Sequence, residues 1–174
     1  DTDTDTTGND PNGNDSDTDL YTILSLGDSY TIGQSVCSTC RFPEQLKDSL
    51  SQRYEQNSWA VDVIAQTGWT TNNLLGAIDS ANLGEDYDLV TLLIGVNNQY
   101  QSLPFSVYVS EFPQLVERSI EAAQGDKNNV IVISIPDYAF TPFGQGQGST
   151  ATISSEIDDY NSFAESYCTQ ENIS

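Results

Sequence analysis

The chain has 174 residues, which is enough for one domain with a hydrophobic core. It carries 26 acidic and 5 basic residues, which gives a formal net charge of -21. The negative electrostatic field of such a chain disfavours nucleic acid and anionic membranes as partners. Hydrophobic residues make up 37% of the sequence, and no apolar run is long enough to span a bilayer. We therefore predict a globular protein without a transmembrane segment.

The first nineteen residues are rich in aspartate and contain no aliphatic or aromatic side chain. Such a segment cannot bury apolar surface, so we predict a disordered acidic tether over 1–19 and one domain over 20–174. It fits a calcium-binding loop poorly, because Thr6 stands where that loop needs glycine. We expect a monomeric, extracytoplasmic protein, for which a lipid anchor upstream of residue 1 is one option.

From Leu20 onward, short apolar segments alternate with segments of helical periodicity. The predicted strands are 20–26, 60–66, 87–95 and 129–136. The predicted helices are 42–55, 71–81, 106–124 and 154–170. Pro113 marks a kink in the third helix or a junction of two helices.

This βαβαβαβα order predicts an α/β fold, a three-layer flavodoxin-like parallel sheet with helices on both faces. Residues 171–174 follow the last helix, where a fifth strand would begin. A sheet that ends on an exposed strand of this central type is unusual. We therefore expect that a C-terminal strand and helix are missing from this chain.

Two of the three cysteines, Cys37 and Cys40, form a C-x-x-C motif. A structural zinc site needs four ligands, and the sequence has neither a histidine nor a second cysteine pair, so we predict no metal site. A small disulfide that closes a loop and free thiols both remain open. An extracytoplasmic location favours the Cys37–Cys40 disulfide, which leaves Cys168 over.

Residues suited to acyl transfer follow three predicted strands. Ser29 follows the first strand, Gly68 the second, and Asn97 the third. Each of them alone is typical of an ordinary turn. In open parallel sheets, however, ligand sites form where the carboxyl ends of strands meet. A hydroxyl, a glycine N–H and a side-chain amide at one edge would supply a nucleophile and two donors for an oxyanion.

In these residues the sequence resembles the SGNH or GDSL-type hydrolases (esterases and lipases), over residues 20–174. The residues that carry the resemblance are Gly27, Asp28 and Ser29 in a first block, Gly68 in a second, and Gly95, Asn97 and Asn98 in a third. The resemblance implies that Ser29 is the nucleophile. It also implies an oxyanion hole made of the Ser29 N–H, the Gly68 N–H and the Asn97 side chain, with no cofactor.

The remaining motif residues, Gly27, Asp28, Gly95 and Asn98, are expected to support the turns. Asn98 stands where the family commonly has aspartate. A larger departure is that the sequence has no histidine, whereas the family carries its general base in a D-x-x-H block near the C-terminus. We therefore expect this chain to be truncated and nearly inactive by itself. The alternative is a degenerate family member, a surface-tethered module that binds glycans or calcium without catalysis.

Aromatic residues near the predicted strand ends are candidates for a substrate pocket, namely Trp69, Tyr100 and Tyr138. Polar residues at the same ends, namely Gln66, Thr70, Asn72 and Gln99, favour a small acyl group on a carbohydrate over a long lipid chain. The expected partner is a small-molecule ester. No glycine-rich phosphate loop follows the first strand, which argues against a cofactor-binding domain on the same fold.

Overall fold

The computed structural model describes residues 19–81, 83–84 and 86–174. The predicted acidic tether lies outside these residues except for its last position, so it stays a prediction. The calcium-binding alternative that depended on this segment also lies outside them.

A four-stranded parallel sheet forms the centre of the molecule, as predicted. Its strands are β1 (Leu20–Gly27), β2 (Ser58–Ala65), β3 (Leu89–Leu93) and β4 (Val130–Val132), in the order β2-β1-β3-β4. Strand β1 is central, and its apolar residues Ile23, Leu24 and Leu26 are fully buried. A short apolar run that is buried on both faces is what a central parallel strand requires.

The helices cover both faces of this sheet, which confirms the predicted α/β class. They are α1 (Ser29–Ile32), α2 (Phe42–Arg53), α3 (Thr71–Ala81), α4 (Val96–Tyr100), α5 (Phe105–Ala122) and α6 (Thr150–Glu171). Helix α2 packs against β2, whereas α3, α5 and α6 pack side by side. Right-handed crossovers between parallel strands place α2 on one face and these three helices on the other.

Aromatic side chains fill the interface between α5 and α6. The Tyr108 and Tyr160 rings lie 4.6 Å apart, and those of Tyr108 and Phe112 lie 5.1 Å apart. Tyr108 and Phe112 are each only 1% exposed. Burial of such large rings contributes about 2–3 kcal/mol per side chain, so this cluster fixes α6 against α5.

The structure differs from the predicted elements at the end of β4 and from the predicted helix junction at Pro113. Strand β4 ends at Val132 because the backbone of Ile135 pairs with a side chain instead of a strand: its N–H donates to Asn161 Oδ1 (2.8 Å) and its carbonyl accepts from Asn161 Nδ2 (3.0 Å). Pro113 lies inside one continuous helix rather than at a junction of two. The carbonyl that Pro113 leaves without a donor belongs to Val109, whose side chain is 37% exposed, so water can reach this side of the helix.

Two short helices and one hydrogen bond at the edge of the sheet complete the fold. Helices α1 and α4 are single turns that lie outside the four predicted helices. At the outer edge of β4, the Val132 N–H donates to the Ser174 carbonyl at 2.8 Å.

Cys37 and Cys40 form a disulfide, as expected, and Cys168 is a buried free thiol. Among the described residues, no helix combines the length and the apolar character needed to cross a membrane.

Candidate active site

The predicted site residues converge because the three strands end at one level. In the register of the sheet, Gly27 pairs with Ala65 of β2 on one side and with Leu93 of β3 on the other. The chain therefore leaves β1, β2 and β3 at the same edge of the sheet. This edge is the carboxyl edge, where parallel sheets form their ligand sites.

The turn after β1 places Ser29 at the first position of α1. A Cβ on Gly27 would lie 2.1 Å from Thr31 Oγ1 and 2.4 Å from the Leu93 carbonyl, so only glycine fits here. Asp28 caps the helix by accepting from the Tyr30 N–H at 3.0 Å. Because Ser29 is the first helical residue, its N–H has no acceptor within the helix and is free to bind a ligand.

Asp28 is fully buried, and this changes its acidity. Burial raises the pKa of its carboxyl group from 3.8 to about 6, although the hydrogen bond from the Tyr30 N–H acts in the opposite direction. One carboxyl oxygen, Oδ2, has no hydrogen-bond partner among the described residues. The arrangement fits a cap that fixes the serine turn, which is the supporting role expected of Asp28.

The turn after β2 presents Gly68. The Trp69 N–H donates to the Gln66 carbonyl at 3.2 Å, and Gly68 has a φ of +84°. This is a type II turn, which places a positive φ at its third residue and so favours glycine. The space where a Cβ would stand on Gly68 is open for 4 Å. A ligand can therefore approach the backbone closely at this point.

The turn after β3 brings Asn97 to the same edge. Gly95 has a φ of +128°, and a Cβ there would lie 2.7 Å from Tyr108 Cε2, so both conformation and space require glycine. Asn97 is 8% exposed, and its Nδ2 donates to the Trp69 carbonyl at 2.9 Å. A side-chain amide carries two N–H donors, so one of them remains available to a ligand.

Asn98 points away from this edge and holds the neighbouring helix. Its Oδ1 accepts from the Thr71 N–H at 3.0 Å, and its Nδ2 donates to Thr71 Oγ1 at 2.7 Å. Both residues are fully buried. Asn98 thus caps the start of α3 and ties α4 to it, so the structure gives it a supporting position.

Ser29, Gly68 and Asn97 line one cavity of about 500 Å³. None of its lining residues is charged; the full set is Ser29, Tyr30, Gln34, Ser35, Thr67, Gly68, Val96, Asn97, Tyr100, Tyr138 and Phe143. One side of the cavity is polar, where Thr67 Oγ1 donates to Gln34 Oε1 at 2.6 Å. This polar side differs from the set of polar residues that the sequence suggested.

The opposite side of the cavity is aromatic. The ring centroids of Tyr100, Tyr138 and Phe143 lie 5.7–6.3 Å from one another. Tyr138 is held by its hydroxyl group, which donates to Gln99 Oε1 at 2.7 Å. Trp69, the third aromatic candidate, is half-buried and packs against the hydrophobic core instead.

Two of the four polar residues predicted at the strand ends, Thr70 and Gln99, have other partners. Thr70 is buried and donates to Asn73, and Gln99 bonds Tyr138 and Glu156. Gln34, Ser35 and Thr67 were missed. Gln34 and Ser35 lie five and six positions after Ser29. The signal for them in the sequence is Gly33, which ends α1 in the left-handed conformation and turns the chain back.

The parallel sheet, with polar groups from three strands at one cavity, defines a three-layer α/β protein with its ligand site at the carboxyl edge. Residues 25–174 match the model of the GDSL-like lipase/acylhydrolase family. The chain belongs to this family. No curated protein matches the sequence significantly.

Solved structures show the same fold at low sequence identity. A lipase/acylhydrolase from Enterococcus faecalis has a TM-score of 0.64 and 20% identity, over 88% of this chain and 73% of that chain. A lipolytic G-D-S-L family protein from Desulfitobacterium hafniense has a TM-score of 0.63 and 18% identity, over 87% and 74%. A psychrotrophic esterase from Pseudoalteromonas has a TM-score of 0.54 and 19% identity, over 81% and 73%.

Proposed function

We propose that this protein hydrolyses carboxylic esters with Ser29 as its nucleophile. The observation that carries the proposal is that Ser29, Gly68 and Asn97 line one uncharged cavity, although they lie far apart in the sequence. Family membership supports hydrolysis of esters in general. The roles of the individual residues rest on the geometry of the cavity.

In the proposed reaction, Ser29 Oγ attacks the ester carbonyl carbon and the alcohol leaves, which gives an acyl-enzyme that water then hydrolyses. Negative charge develops on the carbonyl oxygen in each tetrahedral intermediate. The Ser29 N–H, the Gly68 N–H and the free N–H of Asn97 Nδ2 would donate to that oxygen. Such preorganised donors lower the barrier because they bind the charge only as it develops.

The proton of Ser29 needs an acceptor, and the sequence contains no histidine. We propose that the general base comes from polypeptide outside residues 1–174, and that these residues alone are inactive or nearly so. In serine hydrolases, loss of a triad member lowers the rate by about 10⁴- to 10⁶-fold. Assays of activity should therefore use the longest form that the gene encodes, with the 174-residue chain as a comparison.

The cavity supports a neutral substrate with a small acyl group, for which an acylated carbohydrate is our candidate. The lining carries no charge, which does not favour an ionised substrate. Tyr100, Tyr138 and Phe143 offer flat apolar faces, whereas Gln34 and Thr67 offer hydrogen-bonding groups on the other side. A sugar ring has both kinds of surface, since its C–H face is apolar and its hydroxyl groups need partners.

We also propose an extracytoplasmic location. The Cys37–Cys40 disulfide supports it, because disulfides persist mainly in oxidising compartments. Subcellular fractionation followed by immunodetection would test the location independently of activity: we expect the protein outside the cytoplasmic fraction, and its recovery there would contradict the proposal.

The proposed nucleophile is tested by hydrolysis of p-nitrophenyl acetate. We expect Ser29→Ala to lower kcat by about 10⁴-fold or more, because it removes the hydroxyl group that forms the proposed acyl-enzyme. Ser35 lines the same cavity, and Ser35→Ala is the matched control, expected to stay within about tenfold of the parent. If Ser29→Ala hydrolyses the ester as fast as the parent, the assignment is wrong.

A further inference from the structure

The two proposed oxyanion donors outside α1 belong to segments that are fastened to each other. Gln101 Nε2 donates to the Gly68 carbonyl at 2.9 Å, and Asn97 Nδ2 donates to the Trp69 carbonyl at 2.9 Å. Helix α4 and Gln101, which follows it, therefore hold the Gly68 turn by two consecutive carbonyl groups. The distance between the Gly68 N–H and the Asn97 side chain depends on how firmly α4 and this turn are joined.

A third connection runs through buried groups to α5. Asn98 Nδ2 donates to Thr71 Oγ1, and the Thr71 hydroxyl in turn donates to the Glu111 carboxylate. The Thr71 N–H donates back to Asn98 Oδ1. Asn98 and Thr71 are fully buried, and Glu111 is half-buried. The hydrogen-bond chain Asn98–Thr71–Glu111 thus links the residue after Asn97, through the first residue of α3, to a carboxylate on α5.

The directions of these hydrogen bonds follow from the number of protons. A hydroxyl group carries one proton, and an ionised carboxylate can only accept. Because the Thr71 proton goes to Glu111, the group that bonds the Thr71 oxygen must be a donor. An asparagine at position 98 supplies that donor, and an ionised aspartate cannot. Aspartate would also place a second negative charge beside Thr71, opposite Glu111.

We propose that Glu111 is a positioning residue of the oxyanion hole. Through Thr71 and Asn98 it fixes α4, and with it Asn97, relative to the turn that carries Gly68. Its carboxylate is also the reason that this chain has asparagine at position 98, where the GDSL-type pattern commonly has aspartate. The inference rests on the proposed function for its catalytic part, whereas the hydrogen-bond chain itself does not.

The catalytic part is tested by variants that keep or remove the acceptor. Glu111→Leu removes it and should lower kcat by about tenfold to 100-fold with KM within about twofold, because small misplacements of catalytic groups cost rate more than binding. Glu111→Gln keeps an acceptor oxygen and should recover most of this loss. The matched control is Glu117→Leu, an exposed glutamate of the same helix, which should leave kcat unchanged.

The hydrogen-bond chain is tested by a double-mutant cycle on unfolding by urea. Asn98→Asp alone should raise the unfolding equilibrium constant by about tenfold to 100-fold, since it removes a donor and adds a like charge. In the double variant Asn98→Asp/Glu111→Gln, the glutamine amide can donate to the Thr71 hydroxyl group. The negative charge at position 111 is also removed, so the new aspartate no longer faces a second carboxylate. We expect the unfolding equilibrium constant of the double variant to lie at least about tenfold closer to that of the parent than the two single effects added together predict.

The two readouts separate the possible failures. If the cycle is additive within about twofold, Glu111 and Asn98 are not coupled and the inference is overturned. If the cycle is coupled but Glu111→Leu changes kcat no more than Glu117→Leu does, the positioning role is overturned. If Ser29→Ala retains the parent rate, the proposed function fails and the catalytic part of this inference falls with it, while the unfolding cycle still decides the hydrogen-bond chain.

Discussion

The carboxyl ends of the first three strands and the carboxyl end of β4 face the same cavity but are built differently. After β1 and β3 the chain makes tight turns with buried polar groups, namely Asp28, Asn97 and Asn98, and after β2 it makes a tight turn at Gly68 that leads into the buried Thr70. After β4, residues 133–149 form a long segment that exposes Phe140 and Phe143, by 67% and 56%. One side holds hydrogen-bonding groups in fixed positions, and the other presents aromatic surface.

This difference suits the two sides of the cavity to different roles in the proposed reaction. Groups that stabilise developing charge must be fixed in advance, and the tight turns supply that. Groups that contact the rest of a substrate act through area and shape, which the loop after β4 supplies. Changes on the two sides should therefore have different kinetic signatures. Changes to the turns should lower kcat or stability, and changes to the loop should raise KM.

Among the changes that compare the two sides of the cavity, the largest effect is expected from Asn97→Ala. It removes one donor from the proposed oxyanion hole and should lower kcat by about 10²- to 10³-fold with little change in KM. Steady-state kinetics on a small p-nitrophenyl ester would measure this. Asn72, an exposed asparagine of α3, provides the matched control Asn72→Ala. A change in KM alone would contradict the division between the two sides.

A smaller effect is expected in the pH dependence of stability. The pKa of Asp28 is about 6 in the folded protein, against 3.8 for an ordinary aspartate. The folded state therefore binds more protons between these values, so the free energy of unfolding should fall as the pH rises from about 4 to about 6. The difference corresponds to about 3 kcal/mol at neutral pH.

Asp28→Asn should remove this fall while keeping an acceptor for the Tyr30 N–H. Urea unfolding at several pH values, for the parent, for Asp28→Asn and for the exposed-residue control Asp158→Asn, would show it. An unchanged pH dependence in Asp28→Asn would mean that Asp28 does not cause the fall in stability. The turn after β1 would then not contain a buried carboxyl group with a raised pKa.

The smallest effect is expected from the aromatic loop. Phe143→Ala removes one ring from the cavity wall and should raise KM by about tenfold for an acylated sugar, with kcat nearly unchanged, because partial burial of a phenyl ring is worth about 1–2 kcal/mol. Phe140→Ala, a change to a more exposed ring of the same loop, is the control. Equal KM values for the two variants would remove Phe143 from the binding surface.

The sequence predicted the fold well where apolar pattern decides the structure. Strand β1 and helix α3 have the predicted bounds within one residue, because short buried runs and 3.6-residue periodicity are local signals. Strand β4 was predicted too long because its apolar run continues to Ile135. That backbone is bound by Asn161, 26 residues away, and no local pattern reports such a partner.

The site could be predicted in part for a related reason. Ser29, Gly68 and Asn97 could be placed together because each directly follows a strand, and parallel strands end at one edge. Glu111 could not, since its link to this edge runs through Thr71, forty positions earlier. Trp69 shows the same limit, because position after a strand does not decide whether a side chain turns to the cavity or to the core.

The central claim is that Ser29 is the nucleophile, and the most direct measurement is the site of covalent labelling. The longest form that the gene encodes would be treated with a fluorophosphonate and its peptides analysed by mass spectrometry. We predict a single adduct on Ser29, and none in Ser29→Ala. An adduct on Ser35 or another residue, or equal labelling of the parent and Ser29→Ala, would contradict the account.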